Sequence, residues 1–252
     1  MKFTDFDKKM RQYEESLDQI ITNGNYIIVR LDGRAFHTLV KECNYKRPFD
    51  DEFNLRMINT VVYLMDKSGF NIKYGYTQSD EISLLLDLND DTYGRKTRKI
   101  NSILASCATL AFNDKKSVLG MFDSRVIPLP NKELVKDYFM WRQEDCARNC
   151  LNSYCYWMLR NNGGYSKSHA TLKLSGMKFP EKHDLLYQYG YNFNNFLNWQ
   201  KRGIGIYWEH YNKESIDKIS GKKHIAKRKR IIIDKDIMFN EDYGNWIIES
   251  FC

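Results

Sequence analysis

The sequence lacks the features that would place a protein across a membrane or export it. No apolar run approaches the ~20 residues that a helix needs to span a bilayer, and the polar start of the chain has no signal-peptide core. We therefore expect no membrane contact. We also expect a cytoplasmic location, with a mitochondrial one left open.

Cysteine and proline are also scarce. The six cysteines form no Cys-x-x-Cys pair, and Cys146, Cys150 and Cys155 share one predicted helix with no histidine at ligand spacing. This pattern indicates free thiols in a reducing compartment and disfavours a zinc site. With only four prolines and 42% hydrophobic residues, the chain is expected to be globular and to bury a sizeable core.

Positive charge is concentrated in one place. The 39 Lys and Arg exceed the 32 Asp and Glu by 39 − 32 = 7, and the segment 218–230 alone holds seven cations and no acid. A protein that is basic over its whole surface, as a histone is, is therefore excluded. The run predicts either a local contact with a polyanion or a solvated, flexible hairpin. Its members are Lys218, Lys222, Lys223, Lys227, Arg228, Lys229 and Arg230.

The first half of the chain predicts the split βαβ pattern of ferredoxin-like domains. An amphipathic helix comes first, with apolar residues at steps of three and four from Phe3 to Ile20. Alternating strand and helix patterns then give the order β-α-β-β-α-β. The predicted strands cover 26–31, 71–77, 82–88 and 124–129, and the helices lie near 51–68 and at 97–112.

The second half is predicted to be mostly helical, so the fold class is α+β. Helices are expected over 132–161, 168–174 and 182–189, and two late strands over 204–208 and 230–233 bracket the basic run. We assign residues 1–130 to a catalytic region and 131–252 to a helical C-terminal region with a basic hairpin. With no linker between them, the two are expected to form one compact body.

The predicted topology brings three carboxylates together. The first and third strands of a split βαβ unit lie side by side and antiparallel. Asp32, one residue past the first strand, should therefore meet Asp80 and Glu81, which precede the third. Converging carboxylates repel one another unless a cation binds them, and two Mg²⁺ ions about 4 Å apart suit phosphoryl transfer. The alternative is that Asp32 and Asp80 are ordinary turn residues.

Basic residues near this edge favour a triphosphate ligand. Gly33 would let the backbone approach a phosphate closely. Four cations at the start of a helix are unfavourable because they oppose the helix dipole, and a bound triphosphate would compensate their charge. The alternative is that they form a solvated helix face. The cations near the first strand are Arg30, Arg34, Lys46 and Arg47, and those at the helix are Arg95, Lys96, Arg98 and Lys99.

Four collinear motifs resemble the tRNA-histidine guanylyltransferase superfamily, whose members have a polymerase-palm domain and add nucleotides in the 3′-to-5′ direction. Weaker likeness extends over 202–208 and 221–230. The motifs are Arg30-Leu31-Asp32-Gly33-Arg34-Ala35-Phe36-His37, Gln78-Ser79-Asp80-Glu81, Phe122-Asp123-Ser124-Arg125 and Tyr138-Phe139-Met140-Trp141-Arg142-Gln143-Glu144-Asp145-Cys146.

The resemblance implies a nucleotidyltransferase that processes tRNA. ATP would activate the 5′-phosphate of the RNA, and the 3′-hydroxyl of an incoming GTP or other NTP would attack the activated end. Asp32, the carbonyl of Gly33 and Asp80 would bind two Mg²⁺, with Glu81 supporting the site. The residues expected to contact nucleotide are Arg30, Asp32, Gly33, Arg34, Ala35, Phe36, His37, Lys46, Arg47, Ser79, Asp80, Lys96 and Lys99.

The resemblance also has a departure that bears on the substrate. In the eukaryotic enzymes specialised for tRNA-His, His-Ile-Asn-Asn follows the position of Cys146; here the segment is Ala147-Arg148-Asn149-Cys150. Arg47 likewise replaces a lysine. We therefore expect the Thg1-like branch, which repairs truncated tRNA 5′ ends by template-directed addition, with guanylate addition to tRNA-His as the alternative.

The remaining expectations concern partners and other function classes. The chain should bind tRNA, and by family resemblance it should form a homo-oligomer, a tetramer. A palm-type cyclase would need neither the basic run nor the helical half, and a non-catalytic RNA-binding module would need aromatic strand residues that are missing. The residues expected to contact RNA are Arg142, Arg148, Lys227, Arg228, Lys229 and Arg230.

Overall fold

The computed structural model describes residues 3–113, 118–216 and 223–252. Within them, nine α-helices surround one six-stranded antiparallel sheet. The strands are β1 (Tyr26–Arg34), β2 (Ile72–Gln78), β3 (Glu81–Leu86), β4 (Met121–Leu129), β5 (Ile204–Ile216) and β6 (Lys223–Asp234). The helices are α1 (Phe3–Glu14), α2 (Phe36–Glu42), α3 (Asp51–Lys67), α4 (Thr97–Phe112), α5 (Lys132–Asn161), α6 (Lys167–Leu174), α7 (Phe179–Gln188), α8 (Asn198–Arg202) and α9 (Asn240–Phe251).

The sheet order is β4-β1-β3-β2-β5-β6, and its first four strands are those of a ferredoxin-like unit. β1 pairs antiparallel with β3 on one side and with β4 on the other. The predicted α+β class and the central position of the first and third strands are therefore confirmed. Three helices were not predicted: α2, which directly follows β1, and α8 and α9 in the C-terminal region.

Alternating side chains on β1 build two separate cores. Ile27, Val29 and Leu31 are buried in the core that also contains residues of α3 and α4. Ile28 faces the other way and is buried with residues of α5 and α9. Because Arg30 and Asp32 have the same parity as Ile28, they lie on the α5 side of the sheet.

The C-terminal helices form a third core around the last turns of α5. Cys150, Leu151 and Cys155 are buried there with residues of α6 and α7. The cysteines of the described residues are free thiols, and burial raises the pKa of Cys155 to about 11. These thiols therefore act as small apolar groups in the core.

The C-terminal strands are longer than the sequence indicated and belong to the main sheet. β5 pairs with β2 from Ile204 to Tyr207 only, and beyond that point it pairs with β6 alone. The hairpin thus extends past the end of β2. The basic residues Lys227 to Arg230 lie within β6, whereas Lys218 and Lys222 lie outside the described residues.

The first helix also differs from its prediction. α1 ends at Glu14, before the apolar positions Leu17 and Ile20, and it has no buried residue. The predicted apolar stripe is present, but its large side chains are exposed. They are Phe3, Phe6, Met10, Tyr13, Leu17 and Ile20, with exposed fractions from 46% to 88%.

Within residues 3–113, 118–216 and 223–252, no helix is both long enough and apolar enough to cross a bilayer.

Candidate active site

A two-residue turn between β2 and β3 presents Asp80 at the edge of the sheet. Ser79 adopts a positive φ of 49°, and the strands pair Gln78 with Glu81 around the turn. The backbone N–H of Gly33 donates to the carbonyl oxygen of Asp80 at 3.0 Å. This bond fixes the Asp80 turn beside the end of β1.

Asp32 lies inside β1, whereas the sequence predicted it one residue past the end of the strand. The strand continues to Arg34, because β4 begins three residues earlier than predicted and pairs with it throughout. In this register Asp32 lies directly opposite Glu81 on one side and Asp123 on the other. Three carboxylates therefore occupy one row across three strands.

The packing around Gly33 leaves no room for a side chain, whether or not a phosphate binds there. A Cβ at this position would lie 2.6 Å from the ring of Phe36. That ring is buried and packs 5.0 Å from Phe112 and 5.1 Å from Phe122, centroid to centroid. The chain can reverse tightly after β1 because Ala35 has a left-handed conformation, with φ at 57°. Phe36, predicted to contact nucleotide, is therefore chiefly a core residue beneath the site.

Glu81 is bound by two arginines, so it differs from the other two acids. Arg30 forms a close ion pair with one of its oxygens, and Arg142 forms another with the second. Gln78 donates a further hydrogen bond at 3.1 Å. Both oxygens of Glu81 are thus engaged by protein groups, and a metal ion would have to displace them.

Arg142 does not face RNA, and this prediction is wrong. Its side chain is 3% exposed and connects Glu81 with Asp145, whose Oδ2 lies 2.8 Å away. The prediction followed from the match of this whole stretch to the family, and the motif does not show that Arg142 is buried against Glu81. Arg148, in contrast, is 65% exposed and pairs with Asp145 at 2.8 Å.

Asp32 and Asp80 have raised pKa values. Burial is the first cause for Asp32, followed by the charge of Glu81; Arg30, 3.4 Å from the carboxylate, acts in the opposite direction. Burial also raises the pKa of Asp80, with smaller contributions from Asp32 and Glu81, against a hydrogen bond from the Ser79 hydroxyl. The protein therefore disfavours both charges.

This donor set suits a divalent cation. Among the residues that the structure describes, no three His, Cys, Asp or Glu side chains are arranged to hold a metal ion. The predicted site has only two side-chain donors, the carboxylates of Asp32 and Asp80, and its third donor is the backbone carbonyl of Gly33. Two insufficiently compensated carboxylates beside a glycine carbonyl, all oxygen donors, match the ligands that Mg²⁺ prefers when substrate phosphates complete its shell. The residues present thus fit the ion.

A cleft opens beside the Asp80 turn, with about 1050 Å³ of space, its open mouth included. Its walls come from the loop before α3, the β2–β3 turn, α5 and α8. Its mixture of apolar walls with a few polar groups is typical of small-molecule sites. The polar lining residues include His37, Lys46, Arg47, Asp50, Gln78, Ser79, Asp80, Asn149 and Gln200.

Several of these wall residues have defined partners. Asp50 caps α3 by accepting hydrogen bonds from the backbone of Glu52 and Phe53, and it also accepts one from the N–H of Lys46 at 2.8 Å. The guanidinium of Arg47 stacks over Trp157, 5.5 Å from the ring centroid, and donates to the carbonyl of His37 at 3.4 Å. These contacts fix the loop that forms one wall of the cleft.

The predicted cation cluster at the start of α4 has mostly structural partners. Lys96 pairs with Asp18 at 2.8 Å, and Arg98 pairs with the same carboxylate. Arg95 is buried and donates to the backbone carbonyls of Ile21, Asn25, Leu88 and Asp90. Lys96 thus has a carboxylate partner within the protein, and its contact with a triphosphate stays a prediction. Lys99 is exposed in the first turn of α4.

The other predicted RNA contacts lie far from the carboxylates along the sheet. Ile204 pairs with Thr77 close to the Asp80 turn, whereas Lys227 pairs with Asn212. Eight residues of strand at about 3.3 Å each give a separation of about 26 Å along β5. Lys229 lies 4.0 Å above the Trp208 ring, and Arg230 pairs with Glu209.

Sequence reasoning missed two contributors to the site. Gln200 of α8 lines the cleft and binds the Tyr154 hydroxyl at 2.7 Å, but nothing in its sequence neighbourhood indicated a site. Asp145 fell within a matched motif and received no role, although it accepts bonds from Arg142, Arg148 and Asn149. Its position within that motif was the one available signal.

The chain matches two family models. Residues 7–130 match the model described as tRNAHis guanylyltransferase, and residues 133–242 match the one described as its C-terminal domain. Among curated proteins, the tRNA(His) guanylyltransferase of Schizosaccharomyces pombe is 32% identical over 194 residues, which is 73% of each chain.

Solved structures agree with these matches. A bacterial tRNA(His) guanylyltransferase (Thg1)-like protein in complex with ATP superimposes with a TM-score of 0.74, is 28% identical, and matches 98% of this chain and 99% of that one. The same kind of bacterial protein in complex with GTP gives a TM-score of 0.74 at 27% identity, with the same coverage. These neighbours carry the nucleotides that the resemblance implied.

Proposed function

This chain belongs to the tRNAHis guanylyltransferase family and is a nucleotidyltransferase, and we propose that it adds guanylate to the 5′ end of tRNA-His. The observation that carries the proposal is the juxtaposition of Asp32 and Asp80 beside the cleft that opens at the Asp80 turn. The names of its curated relatives support guanylate addition better than the 5′-end repair favoured by the sequence motifs.

The proposed reaction has two phosphoryl-transfer steps. First, an oxygen of the RNA 5′-phosphate attacks the α-phosphorus of ATP, which releases pyrophosphate and leaves an adenylylated end. Next, the 3′-hydroxyl of GTP attacks the 5′-phosphorus of the RNA and releases AMP. Little covalent chemistry is required of the protein in either step, so it contributes by positioning the reactants and compensating charge.

The chain's own groups have distinct parts in this proposal. Asp32, Asp80 and the carbonyl of Gly33 would hold two Mg²⁺ ions, which supply electrostatic stabilisation of charge on the transferring phosphate. The walls of the cleft, including His37, would enclose the nucleotide. Lys99 remains available for a triphosphate because it is exposed.

The test is extension of a 5′-labelled tRNA-His that lacks the additional guanylate, with ATP, GTP and Mg²⁺. Wild-type protein should lengthen it by one nucleotide, and Asp32→Ala and Asp80→Ala should each lower the rate by at least about 10³-fold. Asp66→Ala serves as the matched control, because Asp66 is an exposed carboxylate paired with Lys67 on α3. Full activity in folded Asp32→Ala or Asp80→Ala would show that the site is elsewhere.

A second candidate function is supported by one feature of the cleft. Asn149 and Cys150 both line it. Compared with His-Ile-Asn-Asn, Asn149 is kept and Cys150 replaces the last asparagine. A changed wall at this place suits template-directed repair of truncated tRNA 5′ ends. The discriminating assay offers each NTP in turn to tRNAs whose opposing template base is varied: addition of G to every template supports guanylate addition, and addition that follows the template supports repair.

A further inference from the structure

We propose that Arg142 is a positioning residue for nucleotidyl transfer, which draws Glu81 toward α5 so that Asp32 and Asp80 remain free to bind cations. The inference rests on the proposed function. It concerns a group that touches neither nucleotide nor RNA and that acts through the carboxylate next to Asp80.

The contacts form one continuous chain of alternating charges. Beginning at the surface of α5, Arg148 pairs with Asp145 at 2.8 Å, and Asp145 pairs with Arg142 at 2.8 Å. Arg142 pairs with Glu81, which pairs with Arg30. Arg30 completes the chain with Asp32 at 3.4 Å. The chain therefore links α5 to β3 and then to β1.

The strand register explains why such a chain is needed. Asp32 and Glu81 lie directly opposite each other on neighbouring antiparallel strands. Like charges in this position repel, because side chains of opposed residues are only about 5 Å apart at Cβ. On the sheet, Arg30 pairs with both acids, and Arg125 of β4 lies 3.9 Å from Asp32 on the side away from Glu81. A second cation from outside the sheet can bind the far oxygen of Glu81 and turn that carboxylate away from Asp32.

Burial favours Arg142 as that cation. Its side chain is 3% exposed, while those of Glu81 and Asp145 are 18% and 20% exposed. An arginine serves two carboxylates at once because its guanidinium offers several donors in a fixed plane, whereas lysine concentrates its charge at one point. The two acids together compensate the buried cation, which is otherwise costly to desolvate.

The outer end of the chain belongs to the segment that differs from the relatives specialised for tRNA-His. Asp145 accepts hydrogen bonds from both Arg148 and Asn149, and Asn149 lines the cleft. The segment thus contacts the partner of Arg142 and the nucleotide cleft at the same time. This continuity is the reason to place Arg142 in the functional site and not only in the packing of α5.

The experiment compares Arg142→Lys and Arg142→Met with Lys136→Met. The control lies on the same helix, also removes a cation, and loses an ion pair to Glu241 outside the site. Three quantities are measured: kcat and KM for tRNA extension, the dissociation constant for ATP without RNA across a Mg²⁺ titration, and the tRNA dissociation constant in EDTA. Thermal denaturation reports folding of every variant.

We expect Arg142→Lys to fold, to lower kcat about tenfold or more and to weaken Mg²⁺-dependent ATP binding by a similar factor, as removal of groups that orient metal ligands does. Its tRNA affinity in EDTA should remain within about twofold of wild type. Unchanged kcat and ATP affinity, or loss of tRNA affinity alone, would overturn the inference. Inactive wild-type protein would instead overturn the proposed function.

A double variant tests whether Arg142 acts through Glu81. If it does, Arg142→Met combined with Glu81→Gln should bind ATP no more weakly than Arg142→Met alone, because the uncompensated carboxylate has been removed. If the two substitutions weaken ATP binding by the product of their separate effects, they act independently and the inference is wrong. Because Glu81→Gln removes the uncompensated buried charge, the double variant is expected to fold even where Arg142→Met does not.

Discussion

At the scale of single residues, neighbouring carboxylates at the sheet edge have opposite electrostatic environments. Glu81 is bound by Arg30 and Arg142. Asp80 has a hydrogen bond from Ser79, and no lysine or arginine pairs with it among the described residues. The charge of Glu81 is therefore compensated by arginines, whereas that of its neighbour Asp80 is left available for a cation.

This difference predicts that Asp80→Asn stabilises the metal-free protein while abolishing activity. The raised pKa of Asp80 means that the folded state disfavours its charge. The penalty is complete above the folded-state pKa and disappears as the pH falls through the unfolded-state value near 4. We expect a gain of the order of 1 kcal/mol at pH 7.5, or about 2–4 °C in Tm.

The measurement is thermal unfolding in EDTA between pH 8 and pH 4. The gain of Asp80→Asn over wild type should be largest at the alkaline end and should shrink toward pH 4. A variant that is less stable than wild type at pH 7.5 would contradict the prediction. Asp66→Asn, an exposed control on α3, should show no such pH-dependent gain.

At the scale of elements, the β5–β6 hairpin separates the basic residues from the chemistry. Lys227, Arg228, Lys229 and Arg230 are exposed on β6, about 17 to 26 Å along the strand from the Asp80 end of the sheet at about 3.3 Å per residue. Cation and aromatic side chains lie together there, with Lys229 over Trp208 and Arg230 over Tyr211. Such a surface suits the phosphates and bases of RNA.

We predict that substituting Lys227, Arg228 and Lys229 with Gln weakens tRNA binding and leaves ATP binding unchanged. Each lost phosphate contact should lower the slope of log K against log salt by about one. Binding is measured from 50 to 200 mM salt, with Lys167→Gln, Lys173→Gln and Lys178→Gln, three exposed lysines at α6 and the start of α7, as a charge-matched control. Equal tRNA affinity and equal slope in both proteins would make the hairpin a solvated surface element.

At the scale of the whole molecule, the apolar face of α1 has no partner within the described chain. Its large side chains, including Phe3 and Tyr13, are 46–88% exposed together with those of Leu17 and Ile20. An exposed apolar stripe of this kind marks an interaction site in soluble proteins. The homo-oligomer expected from the family resemblance would provide a partner for it.

We therefore predict that the wild-type protein has a mass in solution that is a multiple of 30.0 kDa, and that Phe6→Ser with Met10→Ser shifts it toward the monomer. Light scattering after size-exclusion chromatography gives both masses. Leu172→Ser on α6 removes a comparably exposed leucine and serves as the control. A monomeric wild type, or an oligomer unchanged by the α1 substitutions, would contradict the prediction.

Local signals explain which elements the sequence predicted well. The helices over 97–112 and 132–161 have the boundaries expected from the sequence, because both are long, and the first carries a clear apolar periodicity. The β5–β6 hairpin was underestimated because most of its polar, charged residues face solvent on both sides of a two-stranded ribbon. Nothing in their alternation distinguishes that ribbon from a loop.

The sequence by itself determined the fold class and the convergence of three acids at one edge of the sheet, because chain order and the handedness of βαβ crossovers leave one arrangement for Asp32, Asp80 and Glu81. Only the tertiary structure decided which charges are free. Arg142 comes from α5 to bind Glu81, and Asp18 comes from before β1 to bind Lys96. Ion pairs between residues remote in sequence leave no periodic trace, since they depend on how helices pack against the sheet.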